Sequence, residues 1–261
     1  MTDLLAYLVL GGVAGALAGL LGVGGGLVIV PGLLWVFRAN GFDEALVVHL
    51  AVGTSLATII PTSLSSIRAH HRRGAVLWPV AARLAPGIVV GAWLGAAIAH
   101  RLATVWLQRV VGVFALVVAL QMLMGERAEA RRVLPGSAGL AAVGTGIGTL
   151  SGLVGIGGGS MTVPFLTWCG VDIRRAVATS AACGFPIAVA GAIGFTVVGW
   201  RDAGLPPGST GYLYWPALAG VAVASVLTAP LGARLAHTLP VVALKRVFAA
   251  VLVLVGLELL A

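Results

Sequence analysis

The thirteen residues Gly19-Leu20-Leu21-Gly22-Val23-Gly24-Gly25-Gly26-Leu27-Val28-Ile29-Val30-Pro31 return 133 positions later as Gly152-Leu153-Val154-Gly155-Ile156-Gly157-Gly158-Gly159-Ser160-Met161-Thr162-Val163-Pro164. Five glycines and a proline hold their spacing in both copies. The chain is therefore one half-unit written twice. In an apolar chain, interrupted helices at matching positions of two halves point to a carrier.

Composition supplies the apolar setting. Of 261 residues, 59% are hydrophobic and 9% charged, against the roughly 25% charged residues of an ordinary soluble domain. Apolar runs cover 4–21, 46–67, 76–99, 105–124, 134–153, 176–200, 212–235 and 241–261. Each is close to the roughly 20 residues that span a bilayer as a helix. The expectation is an all-α polytopic membrane protein. The first run follows the acidic Met1-Thr2-Asp3 and has a duplicate mid-chain, so it reads as retained structure rather than a signal peptide. The 16 Lys and Arg against 8 Asp and Glu fall in the loops, as in cytoplasmic loops facing anionic lipid, and do not call for nucleic acid. Cys169 and Cys183 lie in apolar surroundings without metal-ligand spacing and read as small buried residues.

The repeat extends past the glycines. Thr54-Ser55 and Pro61 match Thr179-Ser180 and Pro186; Trp78-Pro79 matches Trp215-Pro216; His100 matches His237. Two transmembrane repeats follow, 1–124 and 134–261, joined by a polar linker at 125–133. Each holds a glycine-broken segment and three full-length helices. Counting cations tests what the broken segment does. If each crosses once, the 16 Lys and Arg divide 8 against 8. If each enters and returns to the same side, Arg38, Arg101, Arg109 and Arg201 stay on the N-terminal side and the other 12 gather opposite. That bias favours a re-entrant hairpin, although two short full crossings would give the same parity. The repeats are then inverted, both chain ends lie outside the cytoplasm, and the two hairpins approach each other from opposite faces.

Glycine triplets leave backbone N–H groups unshielded, and a helix opening after them aims unpaired N–H groups and a partial positive charge at its neighbour. That suits an anion. The candidate substrate-binding residues are Gly24, Gly25 and Gly26 in one copy and Gly157, Gly158, Gly159 and Ser160 in the other; the bland alternative is close helix packing, the reading given to Gly11, Gly12, Gly91 and Gly95. Thr54, Ser55, Thr179 and Ser180 can donate hydroxyls to an anion or bond back to their own helices. His49 has no counterpart; it is a candidate proton carrier or an interfacial side chain. Nothing matches a catalytic, metal-binding or nucleotide motif, so neither an enzyme nor a cofactor is expected.

The doubled motif with Pro31 and Pro164, and the Thr-Ser elements at Thr54-Ser55 and Thr179-Ser180, resemble the sulfite exporter TauE/SafE family over essentially the whole chain. The resemblance implies a prokaryotic plasma-membrane carrier of small, often sulfur-containing anions such as sulfite, sulfoacetate or thiosulfate. Ser160 departs from Leu27 of the first copy and makes the two hairpins chemically unequal. The expected function is secondary transport of such an anion by alternating access, coupled to a proton or ion gradient or driven by the anion's own. The alternative is an anion channel built from the same hairpins. Monomer and homodimer are both compatible with the sequence.

Overall fold

The computed structural model describes residues 2–21, 25–124, 133–235 and 241–260. These form ten helices and a two-stranded ribbon: α1 (Thr2–Leu21), α2 (Gly26–Ala39), α3 (Val47–Arg72), α4 (Trp78–Arg101), α5 (Thr104–Met124), α6 (Ser137–Val154), α7 (Gly159–Trp168), α8 (Ile173–Val198), β1 (Ser209–Thr210), β2 (Leu213–Tyr214), α9 (Trp215–Leu235) and α10 (Val241–Leu260). Of the expected linker only Val133 is described, and Gly24 lies outside the described residues. Each apolar run becomes a helix, and the pieces after the glycines become α2 and α7. Helices α3, α4, α5, α6 and α8 are long and apolar enough to cross a membrane. This is a multi-pass helical membrane protein.

Its surface agrees. Leu4, Val9, Val13, Val113, Val117, Leu227 and Leu254 are exposed along helix flanks, as lipid-facing residues are. All seven tryptophans are exposed. Trp35, Trp106, Trp200 and Trp215 stand near one set of helix ends and Trp78 and Trp168 near the other, the positions that tryptophan favours in membrane helices. Only Trp93 sits mid-helix.

Packing repeats across the halves. α4 lies along α6 as α9 lies along α1; α4 touches α8 as α9 touches α3; α2 packs on α3 as α7 packs on α8. α3 meets its own counterpart α8, and α5 meets α10. Exchanging the two halves maps this set of contacts onto itself. Glycines set the closest pair. Cβ atoms at Gly87, Gly91 and Gly95 would overlap the carbonyls of Ala141, Thr145 and Thr149, while Gly144, Gly148 and Gly152 press on Leu84, Ile88 and Ala92. Gly11 and Gly15 meet Val221 and Ser225 in the same way. Here small residues let backbones touch, as in other membrane bundles.

Within the first half α2 doubles back along α1. Gly25 meets Ala14, Gly32 meets Leu10, and the Tyr7 and Phe37 rings stand 6.4 Å apart. Leu10 seats directly on the bare backbone of Gly32. The matching positions in the second half carry Val143 and Phe165. The bulkier pair leaves an apolar cleft of about 550 Å³ between α6 and α7, lined by Val143, Ile147, Leu150, Met161 and Phe165 among others.

Two details depart from the sequence reading. The run beginning at 212 does not start as helix: Ser209↔Tyr214 and Thr210↔Leu213 pair as an antiparallel ribbon ahead of α9. α3 also continues past the apolar run 46–67, so that His70, His71 and Arg72 complete its last turn. There Trp78 Nε1 donates to His71 Nδ1 at 3.2 Å.

Candidate functional site

The two glycine segments meet. A Cβ on Gly26 would stand 2.7 Å from the Gly155 carbonyl oxygen and 2.9 Å from the Ile156 Cα, so only glycine fits there. Gly155 ends α6 in the left-handed conformation at φ 78°. Its N–H and that of Ile156 both reach the Ser151 carbonyl at 3.0 Å, which satisfies the helix end. Ser55 of α3 donates to the Gly155 carbonyl at 2.8 Å. Thus Gly26 and Ser55 of one half close on the motif of the other.

Gly157, Gly158 and Gly159 are buried, and α7 opens at Gly159 without a side-chain cap. Thr162 N and Met161 N turn back to the Gly158 carbonyl at 2.8 and 3.3 Å. Opposite stands α8: a Cβ on Gly158 would meet Ile187 Cδ1 at 2.8 Å and the Thr162 hydroxyl at 3.1 Å, and Gly184 faces the Gly158 N–H. Three hydroxyls of this segment, Ser151 in the last turn of α6 and Ser160 and Thr162 in the first turn of α7, are buried and have no hydrogen-bond partner. In the first copy the same three positions are Ala18, Leu27 and Ile29. Every hydroxyl left unsatisfied around the second turn is thus an apolar residue in the first. Ser160 was visible in the sequence as a departure between the copies. Ser151 and Thr162 were missed, and the same comparison, continued along the motif, would have found them.

The threonines of the Thr-Ser pairs have a shared role. Thr54 Oγ1 accepts from Tyr214 N at 3.0 Å, and Thr179 Oγ1 accepts from Leu77 N at 3.0 Å. Tyr214 and Leu77 each precede a Trp-Pro helix start, so each half caps a helix of the other. Ser180 bonds back to the Val177 carbonyl at 2.8 Å. These residues are brought to the α3–α8 core but not to the α7 turn; Ser55 alone reaches a glycine segment.

His49 is buried, 4% exposed, in the first turn of α3. Its Nε2 bonds the Ala99 carbonyl at 3.0 Å, and its Nδ1 has no partner. The Tyr212 ring lies 5.1 Å away. Cys169 and Cys183 are both buried and form no disulfide. Arg83, Arg109 and Arg246 are exposed near helix ends, and Arg109 lies 4.9 Å over the Trp106 ring.

Comparison with known proteins places this chain in a family. The family model described as "Sulfite exporter TauE/SafE" matches residues 7–259. The chain belongs to the sulfite exporter TauE/SafE family. Relatives of the TauE/SafE chain include a probable membrane transporter protein of Haemophilus influenzae, 36% identical over 98% of both chains. Another, from Methanocaldococcus jannaschii, is 26% identical over 86% of this chain and 80% of its own. A third, from Bacillus subtilis, is 26% identical over 88% of this chain and 89% of its own. No solved structure matches this TauE/SafE chain. It is therefore a membrane transporter by family, and its helices supply the transmembrane bundle.

Proposed function

We propose that this protein is a secondary transporter that moves a small, sulfur-containing oxyanion across the plasma membrane by alternating access, binding it at the α7 turn. The observation that carries the reading is the set of unpartnered buried hydroxyls on Ser151, Ser160 and Thr162 beside Gly157–Gly159. An unsatisfied buried hydroxyl costs about 1–3 kcal/mol. A chain that keeps three of them flanking one glycine segment, where its own duplicate has none, holds donors for a ligand. The first N–H groups of α7 and its dipole add the positive end. An oxyanion accepts from both kinds of donor.

The apolar first turn, with Gly26 against Gly155, forms the other wall. We take the two hairpins as re-entrant from opposite faces and the two halves as inverted, with both chain ends outside the cytoplasm. The exchange symmetry of the helix contacts, the antiparallel run of α2 on α1 and the 12-to-4 cation split support that arrangement. Inverted halves around one central site rock between two openings.

Counterflow in proteoliposomes tests the reading. Purified protein loaded with unlabelled sulfite, thiosulfate, sulfoacetate or sulfate is expected to exchange at least one of them, saturably, for external ³⁵S-labelled anion. Ser160→Ala with Thr162→Val is expected to abolish that exchange. Ohmic single-channel currents would instead establish a pore, and wild-type exchange by the double variant would remove the α7 turn as the site.

A further inference from the structure

A second polar cluster lies at the molecular end that carries Arg38, Arg101, Arg109 and Arg201. It arises where the halves differ. The α3–α4 connector is residues 73–77, whereas the α8–α9 connector is residues 199–214, and the longer one supplies Asp202 and Tyr212. The Tyr212 hydroxyl donates to Asp202 Oδ2. His100 Nδ1, at the end of α4, lies 2.9 Å from the same hydroxyl and 3.9 Å from Asp202 Oδ2. His100 is accessible from outside and Asp202 partly so, while Tyr212 is only 2% exposed.

Inward of Tyr212 sits His49. A carbonyl can only accept, so the bond to Ala99 O fixes the His49 proton on Nε2. Its Nδ1 is then a bare acceptor, buried and unpartnered, in an imidazole whose centroid lies 5.1 Å from that of the Tyr212 ring. The four groups thus run from water to the interior: His100 and Asp202, then Tyr212, then His49. The neighbouring ionisable groups are few. Arg101 and Arg201 adjoin the cluster in sequence and point outward, and Asp43 of the α2–α3 connector stands beside Gly204. Arg38 is already paired with Glu44 at 3.2 Å. In the other half His237 matches His100, but Arg174 and Ala75 occupy the places of His49 and Tyr212.

We propose that His100, Tyr212, Asp202 and His49 form a proton-binding site, one-sided in the membrane, that couples anion movement to the proton gradient. The inference rests on the carrier reading for its coupling, not for the site itself. The Tyr212 hydroxyl bridges His100 Nδ1 and Asp202 Oδ2, so the three groups form one hydrogen-bonded path for a proton. Burial and the Asp202 carboxylate push the Tyr212 hydroxyl above its ordinary value, so it stays a donor. His49 is the acceptor on the inner side. From there the route to the anion site is short. His49 and Val52 share the first turns of α3, Val52 packs on Gly155, and Ser55 holds the Gly155 carbonyl.

The test uses full-length protein in proteoliposomes, with whichever of the four sulfur anions exchanges. Asp202→Asn and Tyr212→Phe are expected to keep counterflow at equal pH on both sides. Accumulation driven by an imposed pH gradient is expected to fall at least roughly tenfold, within the range of coupling between two sites. Gradient-driven accumulation like wild type would overturn the proposal, as would parallel loss of counterflow and accumulation, which marks a structural contact. Infrared difference spectra between high and low pH give a readout that needs no substrate. A carboxyl band that titrates in wild type and disappears in Asp202→Asn is expected; identical spectra would overturn the site. If wild type exchanges none of the anions, the carrier reading fails and the infrared result still decides the site.

Discussion

At the scale of single residues, the two copies of one motif differ where chemistry is expected. Six threonines, Thr62, Thr145, Thr149, Thr167, Thr196 and Thr228, bond back to the carbonyl four residues earlier, the usual habit of threonine in membrane helices. Thr162 does not. Removing a hydroxyl that binds nothing in the protein relieves its burial, so Thr162→Val is expected to leave the thermal midpoint in detergent unchanged or to raise it, by up to about 1–3 kcal/mol of stability. Transport of the exchanged anion should fall in the same variant. A drop in both would mean the hydroxyl supports the fold. Ser160 was legible because Leu27 stands opposite it in the repeat. Thr162 was not, because a lone threonine in a helix reads as back-bonded until its partner is sought in space. His49 was legible as a candidate by its lack of a counterpart, but Tyr212, Asp202 and His100 come to it from three separate elements, and no local pattern joins them.

Among elements, close approach of backbones governs packing, and that gives contrasting expectations for neighbouring glycines. Gly148→Leu on α6 would drive a side chain into Ile88 of α4, whereas Gly146, two residues earlier, faces open space by the α6–α7 cleft. The first change is expected to cost about 3 kcal/mol or more, as overpacking of a tight contact does, and the second to be tolerated; melting curves of the two variants separate them. Thr54→Val and Thr179→Val each remove the acceptor for a helix-start N–H, and about 1 kcal/mol apiece is expected. Because the two contacts are symmetric but distant, the double variant should show the sum; a much larger loss would mean the halves are coupled more tightly than these contacts describe. Helix positions were readable from the apolar runs alone, since each run is close to bilayer length. The ribbon at 209–214 was not, because Tyr212, Leu213 and Tyr214 are as apolar as the helix they precede. The splayed α6–α7 pair depends on Phe165 standing where Gly32 stands in the first half, a difference whose consequence needs the neighbouring helix to be seen.

For the whole molecule, duplication accounts for the architecture, and both proposed sites lie where the copies depart from each other. Most of the helix contacts exchange between the halves, yet one turn is apolar and the other carries hydroxyls, and one connector is short and the other holds the His100–Tyr212–Asp202 cluster. In the proposed carrier, the repeated frame supplies two alternating openings and the unequal linings supply one place for the anion and one for the proton. All of this depends on the two glycine hairpins entering from opposite faces. Membrane sidedness decides it. In a background with Cys169→Ala and Cys183→Ala, Asn40→Cys reports the exposed end of α2, and Arg174→Cys reports an exposed residue in the first turn of α8, the helix that follows α7. With an impermeant maleimide added to intact cells, the account predicts labelling at position 40 and protection at position 174, reversed when inside-out vesicles are labelled. Equal labelling of both positions from one side would contradict it.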